Sequence, residues 1–214
     1  MKKSSKELVF IILIAIPFIY LAFIWENLPD KIAIHFDFEG NPDNWTAKNQ
    51  IIYLLLALGV GNYLLMLFIP KLDPKKKIEQ IGGKYYSLRL VMTFFMTIIS
   101  IYILFSGNGE KVNPAFLIAL TVGFYAVFGN YLQTVKPNYF IGIRTPWALE
   151  NEQTWKKTHR LAGRIWLIAG LVILIISFII KNNYALGILF ASITFIIVII
   201  PIIYSYTEFK KLKS

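Results

Sequence analysis

Six stretches of this chain contain no Asp, Glu, Lys or Arg: residues 8–25, 51–70, 90–105, 115–135, 165–180 and 185–204. Each is 16 to 21 residues long, close to the roughly 20 that an α-helix needs to cross about 30 Å of hydrocarbon. No other feature narrows the fold as much. Backbone N–H and C=O groups cannot stay unpaired in lipid, so each stretch reads as a helix. A transmembrane β-barrel would show segments of about ten residues with alternating polarity, whereas these runs are continuously apolar. The first stretch follows Lys2, Lys3 and Lys6 and could pass for a signal peptide. Its 18 apolar residues exceed the roughly 7 to 15 of a signal core, and Trp25, Glu26 and Asn27 offer no small-residue cleavage pattern. It is expected to be a retained span.

The formal charge of +10 is explained by topology. Counting Lys and Arg between the stretches, alternate segments carry 18 and 4 of the 22 basic residues. The positive-inside rule places the 18 in the cytoplasm, with both termini inside. Trp25 and Tyr184 then fall at outer ends, and Tyr85, Trp166 and Tyr204 at inner ends, as an aromatic belt requires. The basic balance therefore needs no nucleic acid. The fold class expected is an all-α polytopic membrane protein of six transmembrane helices.

The chemistry available is narrow. There is no cysteine, which removes disulfides, thiolate metal sites and thiol nucleophiles. The two histidines, His35 and His159, fall on opposite sides of the bilayer in this topology and cannot share a site. No GxSxG, HExxH or glycine-rich phosphate loop is present, so no enzyme, cofactor or metal is expected. Within the stretches the polar residues are uncharged, among them Asn62, Thr93, Thr97, Ser100, Thr121, Asn130, Gln133 and Ser177, which argues against a proton-driven pump. A small permease or exporter is the alternative function, weakened by the missing ATPase motif and inverted repeat. Pro17 and Pro201 are candidate kinks, and Ala57, Gly59, Gly61, Gly123 and Gly129 are candidate points of close helix contact.

Two loops carry further information. In the first, residues 26–50, Ile32, Ile34, Phe36 and Phe38 alternate with Ala33, His35, Asp37 and Glu39. This period of two predicts a short half-buried strand, and Gly40, Asn41, Pro42 and Asp43 supply turn chemistry. Five acids stand here against two lysines. Two readings stay open: a surface that receives a cationic or amphipathic ligand from outside, or a cap packed on the helices. In the fourth loop, residues 136–164, Asn151 can cap a helix with acid first and Lys156, Lys157, Arg160 and Arg164 later, as the helix dipole favours. Trp155, His159, Ala162 and Trp166 share one face of it, which reads as an interfacial amphipathic helix leading into the fifth span. Upstream, Arg144 sits between Gly142 and the rigid corner of Thr145, Pro146 and Trp147. It can grip a phosphate or carboxylate with two donors, or snorkel to lipid headgroups.

The run Asn138, Tyr139, Phe140, Ile141, Gly142, Ile143, Arg144, Thr145, Pro146, Trp147, continued by Glu150 to Gln153, Trp155, His159, Arg160, Ala162 and Gly163, resembles the signature of the SdpI family of membrane immunity proteins. Leu28, Pro29, Ile32, His35, Phe36, Gly40, Pro42, Asp43 and Trp45 resemble the N-terminal module of unknown function that often precedes it. Ala33 stands where that module usually has proline. The resemblance spans roughly residues 10 to 190. It implies protection against a secreted toxic peptide at the bacterial plasma membrane, and the holding of a small ArsR-like repressor at the membrane. On this reading residues 1–70 form an N-terminal two-helix module and residues 71–214 an SdpI-like four-helix domain. Asn138, Gly142, Arg144, Thr145, Pro146, Trp147, Trp155 and His159 are the candidate partner-binding residues of the inner loop. His35, Phe36, Asp37, Gly40, Asp43 and Trp45 are the candidate ligand-facing residues of the outer loop. The expected partners are membrane lipid, a toxin peptide and the repressor, without direct contact to nucleic acid.

Overall fold

The structure, a computed structural model, describes residues 3–73, 76–78 and 82–213; Lys2 and Lys75 of the charge distribution lie outside them. Among the described residues, six helices are long and apolar enough to cross a membrane: Glu7–Asn27, Lys48–Leu72, Gly83–Ser106, Pro114–Leu132, Glu152–Ile179 and Asn183–Leu212. They contain the six uncharged stretches, give or take a few terminal residues. The elements in chain order are α1 (Lys3–Ile24), β1 (Lys31–Phe36), β2 (Pro42–Ala47), α2 (Ile51–Leu56), α3 (Asn62–Leu72), α4 (Gly83–Ser106), α5 (Pro114–Leu132), α6 (Pro146–Glu150), α7 (Glu152–Ile179) and α8 (Asn183–Lys213). A π-turn over Ala57–Gly61 joins α2 to α3 without breaking the span. Many large apolar side chains on these helices remain outside the protein core, Phe23 and Phe178 among them, which is what a lipid-facing surface requires.

Two helices outrun their sequence signals. The amphipathic segment and the fifth span are one 28-residue helix, α7. The Asn151 carboxamide oxygen starts it by accepting the Thr154 N–H at 2.9 Å, a standard N-cap. The sixth span continues past Tyr204 to Lys213.

The chain forms two compact units. The first holds α1, β1, β2, α2, the greater part of α3, α4 from Tyr86, and the loop to Asn113. The third span therefore packs with the N-terminal module, although sequence order groups it with the C-terminal half. Contact between distant helices decides this: Thr97 Oγ1 of α4 reaches Leu13 O of α1 at 3.0 Å. At one end of this unit, Arg89 of α4 donates to both carboxylate oxygens of Glu7 in α1 at 3.2 and 3.0 Å. Tyr63 of α3 donates to the same carboxylate at 2.7 Å. The Arg89 guanidinium also lies over the Phe10 ring at 4.5 Å, a cation–π contact. At the other end, Leu21, Leu28, Ile32, Ile51, Leu55 and Leu104 make one buried cluster. Gly59 lets α1 approach, since a Cβ there would stand 3.3 Å from Ile14 Cγ2.

The second unit holds α5 to α8 with the described residues of 69–85. Its seam is α5 against α7. A Cβ on Gly163 would lie 2.5 Å from Gly129 O, and one on Gly170 would lie 2.6 Å from Val122 O. The two backbones touch, which is how membrane helices associate without a hydrophobic driving force. Gly123, also a candidate contact, faces open space. Farther along, Ile118, Val122, Ile173 and Leu186 form the apolar core, and Trp166 of α7 donates its indole N–H to Ile197 O of α8 at 2.9 Å.

Candidate functional site

The fourth loop is built from the inside. Asn138 is buried, and its carboxamide is saturated: Oδ1 accepts the N–H groups of Phe140 and Ile141 at 2.8 and 2.7 Å, and Nδ2 donates to the carbonyls of Lys136 and Ile141 at 2.9 and 3.1 Å. No aliphatic or acidic side chain can offer both donors and acceptors at once. Gly142 follows at φ +109°, in the region that favours glycine. A Cβ there would run into His159 Nε2. The close approach has a purpose, because the next N–H, that of Ile143, donates to His159 Nε2 at 2.9 Å. His159 Nδ1 lies 2.9 Å from Trp155 O. The two contacts together fix the tautomer: Nδ1 carries the proton and donates, Nε2 accepts, and the ring is neutral. Trp155 stacks on the ring at a 3.9 Å centroid distance and donates its own indole N–H to Val135 O at 2.8 Å. Trp155 and His159 are both buried, at 0% and 1% exposure.

The face of α7 that reads as an interfacial stripe is thus packed against the loop of its own protein, with neither ring nitrogen of His159 left for a ligand. The periodicity correctly identifies the shared face; its neighbour turns out to be protein and not lipid, because Gly142 brings the loop backbone within hydrogen-bond reach.

The loop is also tied to α8. Thr145 caps α6 by accepting the Ala148 N–H at 3.3 Å, with Pro146 in the first turn where its missing N–H costs nothing. Thr145 Oγ1 and Ser205 Oγ are 3.1 Å apart, and the Trp147 indole N–H donates to Ser205 Oγ. Trp147 packs edge-on against Tyr206. One turn on, Glu208 takes Lys157 of α7 at 2.7 Å and Lys211 at 3.0 Å. Ser205, Glu208 and the Val135 carbonyl escape the sequence reading. The first two lie where α8 outruns its apolar stretch, and a carbonyl has no signature. With Pro146, Arg144 is the exception among the loop's candidates. It is exposed, and its Nη1 donates to Tyr139 O at 2.7 Å, so a large part of its donor fork faces outward. Beside it, Tyr139, Thr145, Leu149, Trp166, Ile197 and Ile202 are among the residues lining a recess of about 550 Å3.

The first loop is an antiparallel hairpin. Lys31 pairs with Ala47, Ile32 with Thr46, Ala33 with Trp45, and the register slips between Ala33 and His35 and again before Phe36. Ile32 and Ala33 are adjacent and in regular register, yet both are in the core at 0% exposure, because Ile32 joins the cluster of Leu21 and Leu104 while Ala33 is held against the loop after α4 at Gly107; Phe38, beyond β1, is half exposed. The expected alternation holds only in part for this reason. The turn comes earlier than Pro42: Asp37 accepts the N–H groups of Glu39 and Asn41 at 2.8 and 2.9 Å and the Asn41 side-chain amide at 3.1 Å, and Gly40 sits at φ +85°. The Asn41 side chain, followed by its backbone N–H, holds the Asp37 carboxyl below its ordinary range. Pro42 then opens β2, an edge position proline tolerates. The hairpin is anchored on the loop after α4. Ala33 donates to Gly107 O at 3.2 Å and Val112 to Gly40 O at 2.9 Å, and the Trp45 ring lies over Gly109. His35 and Asp43 pair at 2.5 Å on the solvent side with 66% and 45% of their side chains exposed. Lys31, Trp45, Thr46 and Ala47 line a recess of about 390 Å3.

Residues 134–205 match the model of the SdpI/YfhL protein family, and residues 12–60 match a domain of unknown function, DUF1648. The first match covers the fourth loop, α6, α7 and most of α8; the second covers most of α1, the hairpin and α2 with its π-turn. Residues 61–133 lie between them. The chain is 27% identical over 211 residues to the immunity protein SdpI of Bacillus subtilis (strain 168), across 98% of this chain and 99% of that one. No solved structure matches the chain. The resemblance read from the two loops is therefore borne out on both of the segments that carry it.

Proposed function

We propose that this multi-pass membrane protein acts in immunity, protecting a bacterial cell from a secreted toxic peptide at its plasma membrane. The single observation that carries the reading is similarity to an immunity protein from end to end, 98% of this chain against 99% of the relative. The 18-to-4 split of basic residues supports an orientation with both termini in the cytoplasm. The hairpin then faces outward, and a toxin meets His35, Asp43, Trp45 and the recess beside β2. The fourth loop faces inward. There Arg144, with the exposed edge of Trp147, is the part able to touch a cytoplasmic regulator such as a repressor, while Asn138, Gly142, Trp155 and His159 hold it in shape.

The test is survival. Cells sensitive to a toxin of this type, expressing the protein at verified membrane levels, should grow at concentrations that kill cells carrying an empty vector. Equal killing at equal membrane level would overturn the reading. Arg144→Lys separates the two roles left open for that residue. A regulator that needs the planar fork loses its response with lysine nearly as completely as with Arg144→Ala, whereas headgroup anchoring is rescued by lysine.

A further inference from the structure

A third recess, of about 500 Å3, opens beside α7 within the second unit, and nothing in the reading above uses it. Its walls carry Lys77, Lys136, Lys156 and Arg160 against a single carboxylate, Glu152. Glu152 is engaged by Lys156 at 2.9 Å. Lys77 also lies close enough to Glu152 to help hold that carboxyl below its ordinary range, after Lys156, while Lys136 and Arg160 have no carboxylate partner among the described residues. Three cations converging on one cavity repel one another, and the arrangement is relieved by an anion. The remaining lining adds no further carboxylate, and Gln133 contributes an uncharged carboxamide. His159 at the floor is neutral, with both nitrogens occupied, and the Thr134 hydroxyl already donates to Tyr131 O.

The depth of the cavity names the anion. Arg160 precedes the apolar stretch 165–180 by five residues, about 7 Å along the helix, and Lys136 immediately follows the stretch 115–135. The polar zone on each side of a bilayer is roughly 5–8 Å thick, so by this spacing Lys136 falls at its inner boundary and Arg160 within it, bracketing the depth of phospholipid phosphates. We propose that this cavity binds the phosphate of an anionic phospholipid headgroup, of the phosphatidylglycerol kind, whose acyl chains stay in the bilayer. Lysine-rich and arginine-rich cavities between membrane helices bind such headgroups by this chemistry.

The experiment compares the full chain in nanodiscs of phosphatidylcholine alone and with added phosphatidylglycerol, reading lipid retained by native mass spectrometry and the thermal midpoint. Wild type should retain phosphatidylglycerol in preference to phosphatidylcholine and unfold at a higher temperature with it. Lys136→Gln with Arg160→Gln should reduce that preference by roughly tenfold or more, while Lys181→Gln with Lys210→Gln, outside the cavity, should leave it unchanged. Lys136→Gln alone, an exposed side chain whose loss leaves the α7 packing intact, should reduce it roughly threefold. Equal retention by wild type and both cavity variants would overturn the proposal. So would a thermal shift produced by inorganic phosphate and not by the lipid, or a preference for a polyglutamate peptide over phosphatidylglycerol, which would assign the cavity to a soluble anion or to a protein segment.

Discussion

The first and fourth loops both carry a family resemblance, the fourth the more specific one, yet they use their residues in opposite directions. In the fourth loop the signature turns inward: Asn138, Gly142, Trp155 and His159 satisfy one another and the backbone. In the first, the hairpin is anchored by Ala33, Gly40 and Val112 and by the Trp45 ring over Gly109, while His35 and Asp43 project from it. A distinctive residue can thus mark either a joint or a contact, and only the hydrogen-bond partners tell which. The joint is a set of buried polar groups, where losing one partner strands the other; the contact is a set of exposed groups, where loss is cheap for the fold.

That contrast orders the expected effects of substitution. Gly142→Ala should be the most damaging. It forces a Cβ into a left-handed position, costing about 1–2 kcal/mol, and drives that Cβ into the His159 ring, costing about 1–3 kcal/mol more. Denaturant titration in detergent micelles should show the loss, along with lower membrane abundance. Trp155→Phe keeps the stacking but strands the Val135 carbonyl, at about 1–3 kcal/mol, measured the same way. Ser205→Ala removes the shared partner of Trp147 and Thr145 and should cost about 1 kcal/mol, seen as faster hydrogen exchange of the α6 amides. His35→Ala with Asp43→Ala, by contrast, should change stability by no more than about 1 kcal/mol, because the pair is exposed. A loss as large as that of Gly142→Ala would break the comparison.

Acid provides the gentlest probe. The folded value of Asp37 is depressed, so its contribution to the turn is present above the unfolded carboxylate value of about 4 and disappears as pH falls through the folded value. Trp45 fluorescence should stay flat from about pH 8 to about pH 5 and change only in more acidic solution, and Asp37→Asn should remove that acid-dependent step.

The six spans were legible because lipid permits few alternatives for an uncharged stretch of that length. The Asn151 cap and the shared face of Trp155, His159 and Ala162 were legible from local rules. What lay beyond reach depended on residues far apart in sequence. Glu7 and Arg89 are 82 positions apart and pair only because α1 and α4 pack together. Lys77 joins Lys136 and Arg160 at one cavity only in the folded second unit. In the hairpin, Pro42 and Asp43 read as turn residues because their composition matches a turn. Asp37 had already closed the turn with its carboxylate, so the later residues form β2. The burial of Ala33 next to Ile32 likewise has no local signal, because it depends on the loop after α4 that Ala33 meets at Gly107.

The division of labour between the two loops is tested most directly by toxin challenge of sensitive cells carrying two variants, His35→Ala with Asp43→Ala and Gly142→Ala, with membrane abundance measured in the same cultures. The account predicts that the hairpin variant keeps wild-type abundance and loses protection, while Gly142→Ala loses protection only in proportion to its abundance. Full protection by the hairpin variant, or a fully abundant Gly142→Ala protein that fails to protect, would contradict it.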